Sequence, residues 1–201
     1  MTKNTKLTAL LLAMALLLPL LCGCGSSQTG YDPLAGVETK TVTDSSGRSV
    51  EVPAEITRVA PSGSTAQMLL MPIAYDLLVG LSSSPSTAQR PYFPEEMWYL
   101  PTFGQFYGSK ASLNMEALIA AQPQVILDLG DAKESIADDM DRIQKQTGIP
   151  TLFIEADLDD MAAAYRMLGS LLGRETEAEP LAAFIEETVA MAQANAAVIP
   201  E

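Results

Sequence analysis

The 201-residue chain contains no histidine, and that absence removes several mechanisms at once. Neither a Ser-His-Asp nor a Cys-His arrangement can be built, and no metal site can use imidazole. Cysteine is nearly absent too, with only Cys22 and Cys24. Basic residues are scarce: 12 Lys and Arg face 25 Asp and Glu, a net charge of −13. That balance argues against nucleic acid and against an anionic membrane face as partners. A solvated acidic surface is sufficient to account for it. Catalysis is not excluded, but its commonest tools are missing.

What is present begins at the N-terminus. Lys3 and Lys6 precede a run that stays apolar from Ala9 to Cys22. A basic start, a short apolar core and small residues before a cut describe a secretory leader. A transmembrane anchor is the alternative, but Leu7–Cys22 is 16 residues, short of the roughly 20 that span a bilayer. Leu21-Cys22-Gly23-Cys24 resembles a bacterial lipobox, with Leu at −3, Gly at −1 and Cys at +1. The resemblance implies cleavage of residues 1–23, lipidation of Cys24 and an extracytoplasmic chain tethered to the membrane surface. Loss of Lys3 and Lys6 would leave ten basic against 25 acidic residues, a mature charge of −15. No cysteine pair would remain for a disulfide, and no free thiolate for chemistry.

Residues 24–36 read as a flexible Gly/Ser-containing tether. Over Thr41–Val52, valines alternate with polar residues on either side of Asp44-Ser-Ser-Gly-Arg48, a β-hairpin signal. Short apolar runs then alternate with amphipathic stretches. Strands are predicted at Arg58–Ala60, Leu77–Leu81, Val125–Leu129 and Thr151–Ile154. Helices are predicted at Thr65–Met71, Leu113–Ala121, Ser135–Thr147, with Ile136, Met140 and Ile143 on one stripe, and Leu158–Leu172, with Leu158, Met161, Tyr165, Leu168 and Leu172 on one stripe. Such alternation predicts an α/β lobe over residues 37–174, a mainly parallel sheet flanked by helices. A long helix, Thr176–Val198, ends the chain, with Thr176-Glu-Ala-Glu179 as a capping box and Leu181, Phe184, Ile185, Val189 and Ala192 as its apolar face.

The order of these elements resembles the solute-binding proteins of ABC importers, in the subgroup serving iron–siderophores, haem and vitamin B12. The closest local match is Ser112-Leu-Asn-Met-Glu-Ala-Leu-Ile-Ala-Ala-Gln-Pro-Gln-Val-Ile126, which is similar to that subgroup's helix-to-strand signature with Gln124 where Asp is usual. The resemblance implies an N-terminal lobe ending in an interdomain helix, residues 175–201, with the second lobe absent from this sequence. One lobe with its helix as the whole functional molecule, or a truncated remnant without a transport role, are the alternatives. It further implies no resident cofactor, a chelated iron, haem or cobalamin-like solute, and a permease with its ATPase as partners.

In an open α/β sheet the ligand crevice lies beyond the carboxyl ends of the strands. Ser62, Gly63 and Ser64 follow the first strand, where small residues and a helix N-terminus allow close approach; an ordinary helix cap is equally compatible. Gly130 and Asp131 follow the third strand, and Asp131 is equally able to cap the next helix. Seven of the 12 aromatics lie in Ser82–Ala111, expected as a long loop without secondary structure. Phe103 and Tyr107 are the two expected to face the crevice, by resemblance, with the rest divided between ligand contact and a satellite core. Glu116, by the same resemblance, docks on the permease, where exposed charges orient partners more than they add affinity; a solvated helix glutamate is the bland alternative. A competing expectation, a surface hydrolase using Ser62 or Ser64, would need Lys110 or Lys133 as its base.

Overall fold

Valine alternation and a turn-forming loop build the first element. The computed structural model describes residues 30–196, in which β1 (Thr39–Thr43) pairs antiparallel with β2 (Ser49–Pro53), Val42 opposite Val50. Val50 and Val52 point into the core while Ser49 and Glu51 stay exposed, as a period of two requires. The turn closes on the Asp44 carboxylate. Its Oδ1 accepts from the Ser46 amide at 3.0 Å, the Ser46 hydroxyl at 2.7 Å and the Arg48 amide at 3.0 Å. Its Oδ2 accepts from the Arg48 guanidinium at 2.8 Å and from the Phe153 amide at 3.2 Å. Cys24, the leader, residues 24–29 of the tether and the end of the chain from 197 lie outside the described residues. The rest of the tether is held rather than free: the Tyr31 hydroxyl donates to the carbonyls of Gln122 and Pro123 at 3.0 and 3.1 Å. Among the described residues no helix is long and apolar enough to cross a membrane.

The central sheet is parallel, in the order β3 (Val59–Pro61), β4 (Val125–Gly130), β5 (Thr151–Glu155). Its strands are buried on both faces, which is why they read as nearly continuous apolar runs. Leu77–Leu81 does not form the expected strand. Helix α1 (Ser64–Ala74) runs directly into a 3-10 turn over Tyr75–Leu77, so only single bridges remain, Leu78 to Val59 and Leu81 to Thr102. Residue parity sets the two cores. Val125, Leu127 and Leu129 pack with α1 on one side, whereas Ile126 packs with Ala60, Phe103 and Phe153 on the other.

Helix α2 (Met115–Ala121) is capped by Asn114, whose side chain accepts from the Ala117 amide at 3.1 Å. Arg58 donates to the carbonyls of Ala121 and Gln122 at its other end. Helix α3 (Ile136–Thr147) buries Ile136, Met140 and Ile143, the predicted stripe. Helix α4 (Met161–Leu172) starts three residues later than predicted. The Asp157 carboxylate accepts from the amides of Asp159 and Asp160, both at 2.9 Å, and this turn delays the helix. Leu158 is left 71% exposed and off the stripe.

Helix α5 (Glu175–Ala196) begins one residue before Thr176, so the capping box does not form. Glu179 instead meets Arg166 of α4, whose guanidinium also reaches Glu186. The two helices approach closely because Gly169 has no side chain: a Cβ there would lie 2.8 Å from that of Ala178. Of the predicted apolar face, Leu181 and Ile185 pack partly against the core, while Phe184 and Ala192 are exposed.

Candidate functional site

The parallel strands place all their carboxyl ends at one edge of the sheet, and the register decides what meets there. Pro61 is paired with Leu127, so Ser62 is the next step beside Asp128, with the Ser62 amide bonded to the Leu127 carbonyl at 3.0 Å. Both continue the rows of Ala60 and Ile126. Both are buried, Ser62 at 0% and Asp128 at 4% exposure. The Ser62 hydroxyl donates to Asp128 Oδ1. The Tyr107 hydroxyl donates to Asp128 Oδ2 at 2.6 Å. A backbone bond from the Phe106 amide to the Ser62 carbonyl, 2.9 Å, fastens the Tyr107 segment to the end of β3.

These contacts set the protonation equilibria. Burial pushes the Asp128 carboxyl above its ordinary value, with the Ser62 and Tyr107 hydroxyls and the Lys133 charge opposing it. Burial, followed by the Asp128 charge, holds the Tyr107 phenol well above its ordinary value. Lys133 Nζ sits 4.2 Å from the centre of the Tyr107 ring and 2.5 Å from Asp139 Oδ2. Partial burial acts to raise the Asp139 carboxyl, but the bond and charge of Lys133, then Arg142, hold it below its ordinary value.

The neighbouring loops complete the edge. A Cβ on Gly63 would lie 2.5 Å from the end of the Gln105 side chain, which lies against Gly63 and would have to swing aside for any larger residue. Gly63 precedes α1 and supplies no side-chain cap, and Ser64, the first residue of α1, is exposed. Gly130 ends β4 with φ +155, a conformation that favours glycine, and a Cβ there would touch only Thr65 of α1, at 4.0 Å. Asp131 follows, exposed. Ser62, Gly63, Ser64, Tyr107, Gly130 and Asp131 therefore gather at the carboxyl edge.

Phe103 does not. It has no exposed surface and packs in the core with Ile126 and Phe153. Its ring lies against Gly80, where a Cβ would be 2.1 Å from it. The expectation that Phe103 faces a ligand is corrected to a core role, because the Phe103 amide bonds the Leu81 carbonyl at 2.7 Å and turns the side chain inward. Phe106 is buried as well. The aromatic segment is also not structureless, since 3-10 turns form at Arg90–Tyr92 and Glu95–Tyr99. In those turns Tyr92 and Tyr99 are exposed, and the Arg90 guanidinium stands 5.5 Å above the Trp98 ring. Glu116 is exposed in the first turn of α2.

Sequence reasoning missed Asp128 and Gln105. Asp128 had a signal, a carboxylate inside the otherwise apolar Val-Ile-Leu-Asp-Leu run. A hollow of about 380 Å³ lined by Val37, Glu38, Thr57 and Gln124 opens at the opposite, amino-terminal edge, where the Gln124 side-chain oxygen accepts from the Thr57 and Arg58 amides at 2.7 and 3.1 Å.

A polar cluster at the carboxyl edge of a three-stranded parallel sheet, flanked by helices, invites comparison with known binding lobes. A family model described as periplasmic binding protein matches residues 59–200. The chain belongs to the periplasmic binding protein family. That family comprises solute-binding proteins rather than enzymes, and its place is outside the cytoplasm. Among solved structures, an ABC transporter solute binding protein from Sulfurospirillum deleyianum is 26% identical with a TM-score of 0.67, covering 80% of this chain and 50% of its own. A periplasmic solute binding protein from Veillonella parvula is 22% identical with a TM-score of 0.62, covering 82% and 50%. IsdE of S. aureus, complexed with heme, is 23% identical with a TM-score of 0.57, covering 74% and 52%. The chain thus spans about half the length of the structures it matches. No curated protein sequence matches it. The expected family and the α/β lobe with hairpin and long final helix both hold.

Proposed function

We propose that this periplasmic binding protein is the solute-capturing component of an ABC importer, anchored outside the cytoplasm by a lipid on Cys24. Its solute is a metal chelate, an iron–siderophore, haem or cobalamin-like compound, handed to a permease and its ATPase. The observation that carries this proposal is the buried Ser62–Asp128–Tyr107 cluster at the carboxyl edge of the sheet in a chain of this family. Ser64, the amides that open α1, Gly130 and Asp131 form the wall around it. Asp128 fixes the two hydroxyls and with them the Gln105–Tyr107 segment, so the wall is formed before solute arrives, which lowers the ordering cost of binding. Glu116 stands on the exposed first turn of α2 as the docking charge.

A hydrolase has no supporting observation. Ser62 is buried with its hydroxyl already donated to a carboxylate, and Lys133 is engaged by Asp139. Calorimetric titration of the full chain with haem and with ferrioxamine B tests the proposal. Saturable binding of either, weakened by Tyr107→Ala in a variant that still melts cooperatively, supports it. Absence of heat with both, or binding that ignores Tyr107→Ala, contradicts it.

A further inference from the structure

The hydroxyls that mark the carboxyl edge have no proton left for a solute. Ser62 and Tyr107 both donate theirs to Asp128, which is itself buried. That cluster holds the edge together, so a solute needs a different donor there. Gln105 supplies one. The backbone around it is pinned: its amide donates to the Ser112 hydroxyl at 3.2 Å, and its carbonyl accepts from the Ser112 amide at 2.8 Å. The next amide, of Phe106, donates to the Ser62 carbonyl. On the other side Gly104 holds φ +82, where a Cβ would lie 2.3 Å from the Ser112 carbonyl oxygen. From this fixed base the Gln105 side chain reaches over the β3–α1 turn, with Oε1 and Nε2 each 2.5 Å from where a Gly63 Cβ would stand. Gly63 is buried beneath it, whereas Gln105 keeps part of its surface exposed. Among the described residues neither Oε1 nor Nε2 of Gln105 has a hydrogen-bond partner; only its backbone is engaged. The Gln67 carboxamide of α1, by contrast, is occupied by the Ser82 amide and hydroxyl, both at 2.7 Å.

We propose that Gln105 is a specificity-determining residue of this edge, selecting a chelate that carries amide groups over one that carries carboxylates. The inference rests on the solute-binding function above and adds a substrate class to it. Nε2 donates and Oε1 accepts, so the carboxamide bonds an amide through its carbonyl oxygen or through its N–H. An ionised carboxylate only accepts, so it uses Nε2 alone and sets its charge against Oε1. A site built to hydrogen-bond a group rejects analogues that lack it. A hydroxamate siderophore with amide linkers fits this chemistry, as does a corrinoid with carboxamide side chains. Haem, with its propionates, does not.

The test is calorimetric titration of the full chain with ferrioxamine B, cyanocobalamin and haem, repeated on Gln105→Ala and Gln105→Met. One of the two amide-bearing probes should bind more tightly than haem. Both variants should weaken that probe about tenfold, the loss of roughly one hydrogen bond. Gln105→Met keeps the bulk and removes both polar atoms, which separates hydrogen bonding from packing. The melting temperature should be unchanged in both variants, because the carboxamide has no protein partner to lose. Tighter binding of haem, or an amide-bearing probe indifferent to Gln105→Met, would overturn the selection by Gln105 and leave solute capture standing. Silence of all three probes would overturn both.

Discussion

Replacing Tyr107 by Phe removes one oxygen from the centre of the site and nothing else. Asp128 then keeps the Ser62 hydroxyl but loses the bond at 2.6 Å to its second oxygen. A hydrogen bond to a charged group contributes roughly 1.5–3 kcal/mol, and leaving a buried acceptor unsatisfied costs about the same. Tyr107 is half-buried, so solvent can partly replace the lost donor, and about 1.5 kcal/mol at pH 7 is the expected loss. In a chain of this size that lowers the melting temperature by roughly 3–6 °C. The loss depends on pH, and its sign is fixed. Because burial raises the Asp128 carboxyl, the folded state holds this proton more tightly than the unfolded state does. Its contribution is therefore fully present below the ordinary carboxylate value of about 3.9 and falls as pH rises through the raised one. Tyr107 opposes that rise by favouring the ionised form. Tyr107→Phe should therefore raise the Asp128 carboxyl further and cost more at pH 7 than at pH 4. Thermal melts of parent and variant across this range read the difference directly. An equal loss at both ends, or none at pH 7, would refute the reading of Tyr107 as a donor that favours the ionised form of Asp128.

Phe103→Ala should cost about 3–5 kcal/mol, as for other buried aromatics, seen in denaturant unfolding; an unchanged midpoint would return Phe103 to the surface. Asp44→Ala leaves Arg48 without its buried partner and the Ser46, Arg48 and Phe153 amides without their acceptor, and should destabilise by about 3–5 kcal/mol in denaturant unfolding; an unchanged midpoint would contradict that role. Cys24→Ala should release the protein from the membrane fraction and abolish fatty-acid labelling, and labelling that persists until Cys22 is changed would assign the lipid to Cys22. Glu116→Arg should leave solute affinity nearly unchanged and weaken delivery to the permease, and equal loss of both would place Glu116 in the crevice.

The parts legible in the sequence were those fixed by local chemistry. Asp44-Ser-Ser-Gly-Arg48 announced its own turn, the Ile136, Met140 and Ile143 spacing announced a helix face, and the apolar runs of β4 and β5 announced buried parallel strands. What stayed hidden depends on register and on distant neighbours. Asp128 becomes a site residue only because Pro61 pairs with Leu127 and so brings Ser62 beside it. Phe103 becomes core only because Gly80, 23 positions earlier, leaves room for its ring. Leu158 fell off its helix because Asp157 captures two amides first. Thr176 is no cap because the short turn after α4 already starts the helix at Glu175. The place of Ser62, Gly63 and Ser64 at the carboxyl edge was legible, since they follow an apolar strand and lead into a helix.

The central claim is that solute meets this lobe at the carboxyl edge of its parallel sheet. Amide chemical shifts of the isotopically labelled chain, followed while the gallium(III) complex of desferrioxamine B is added, test it most directly. The account predicts saturable shifts in Ser62–Thr65, Gln105–Gly108 and Asp128–Lys133, with Val37, Glu38 and Gln124 at the opposite edge unmoved. Shifts confined to that opposite edge, or none at any concentration, would contradict it.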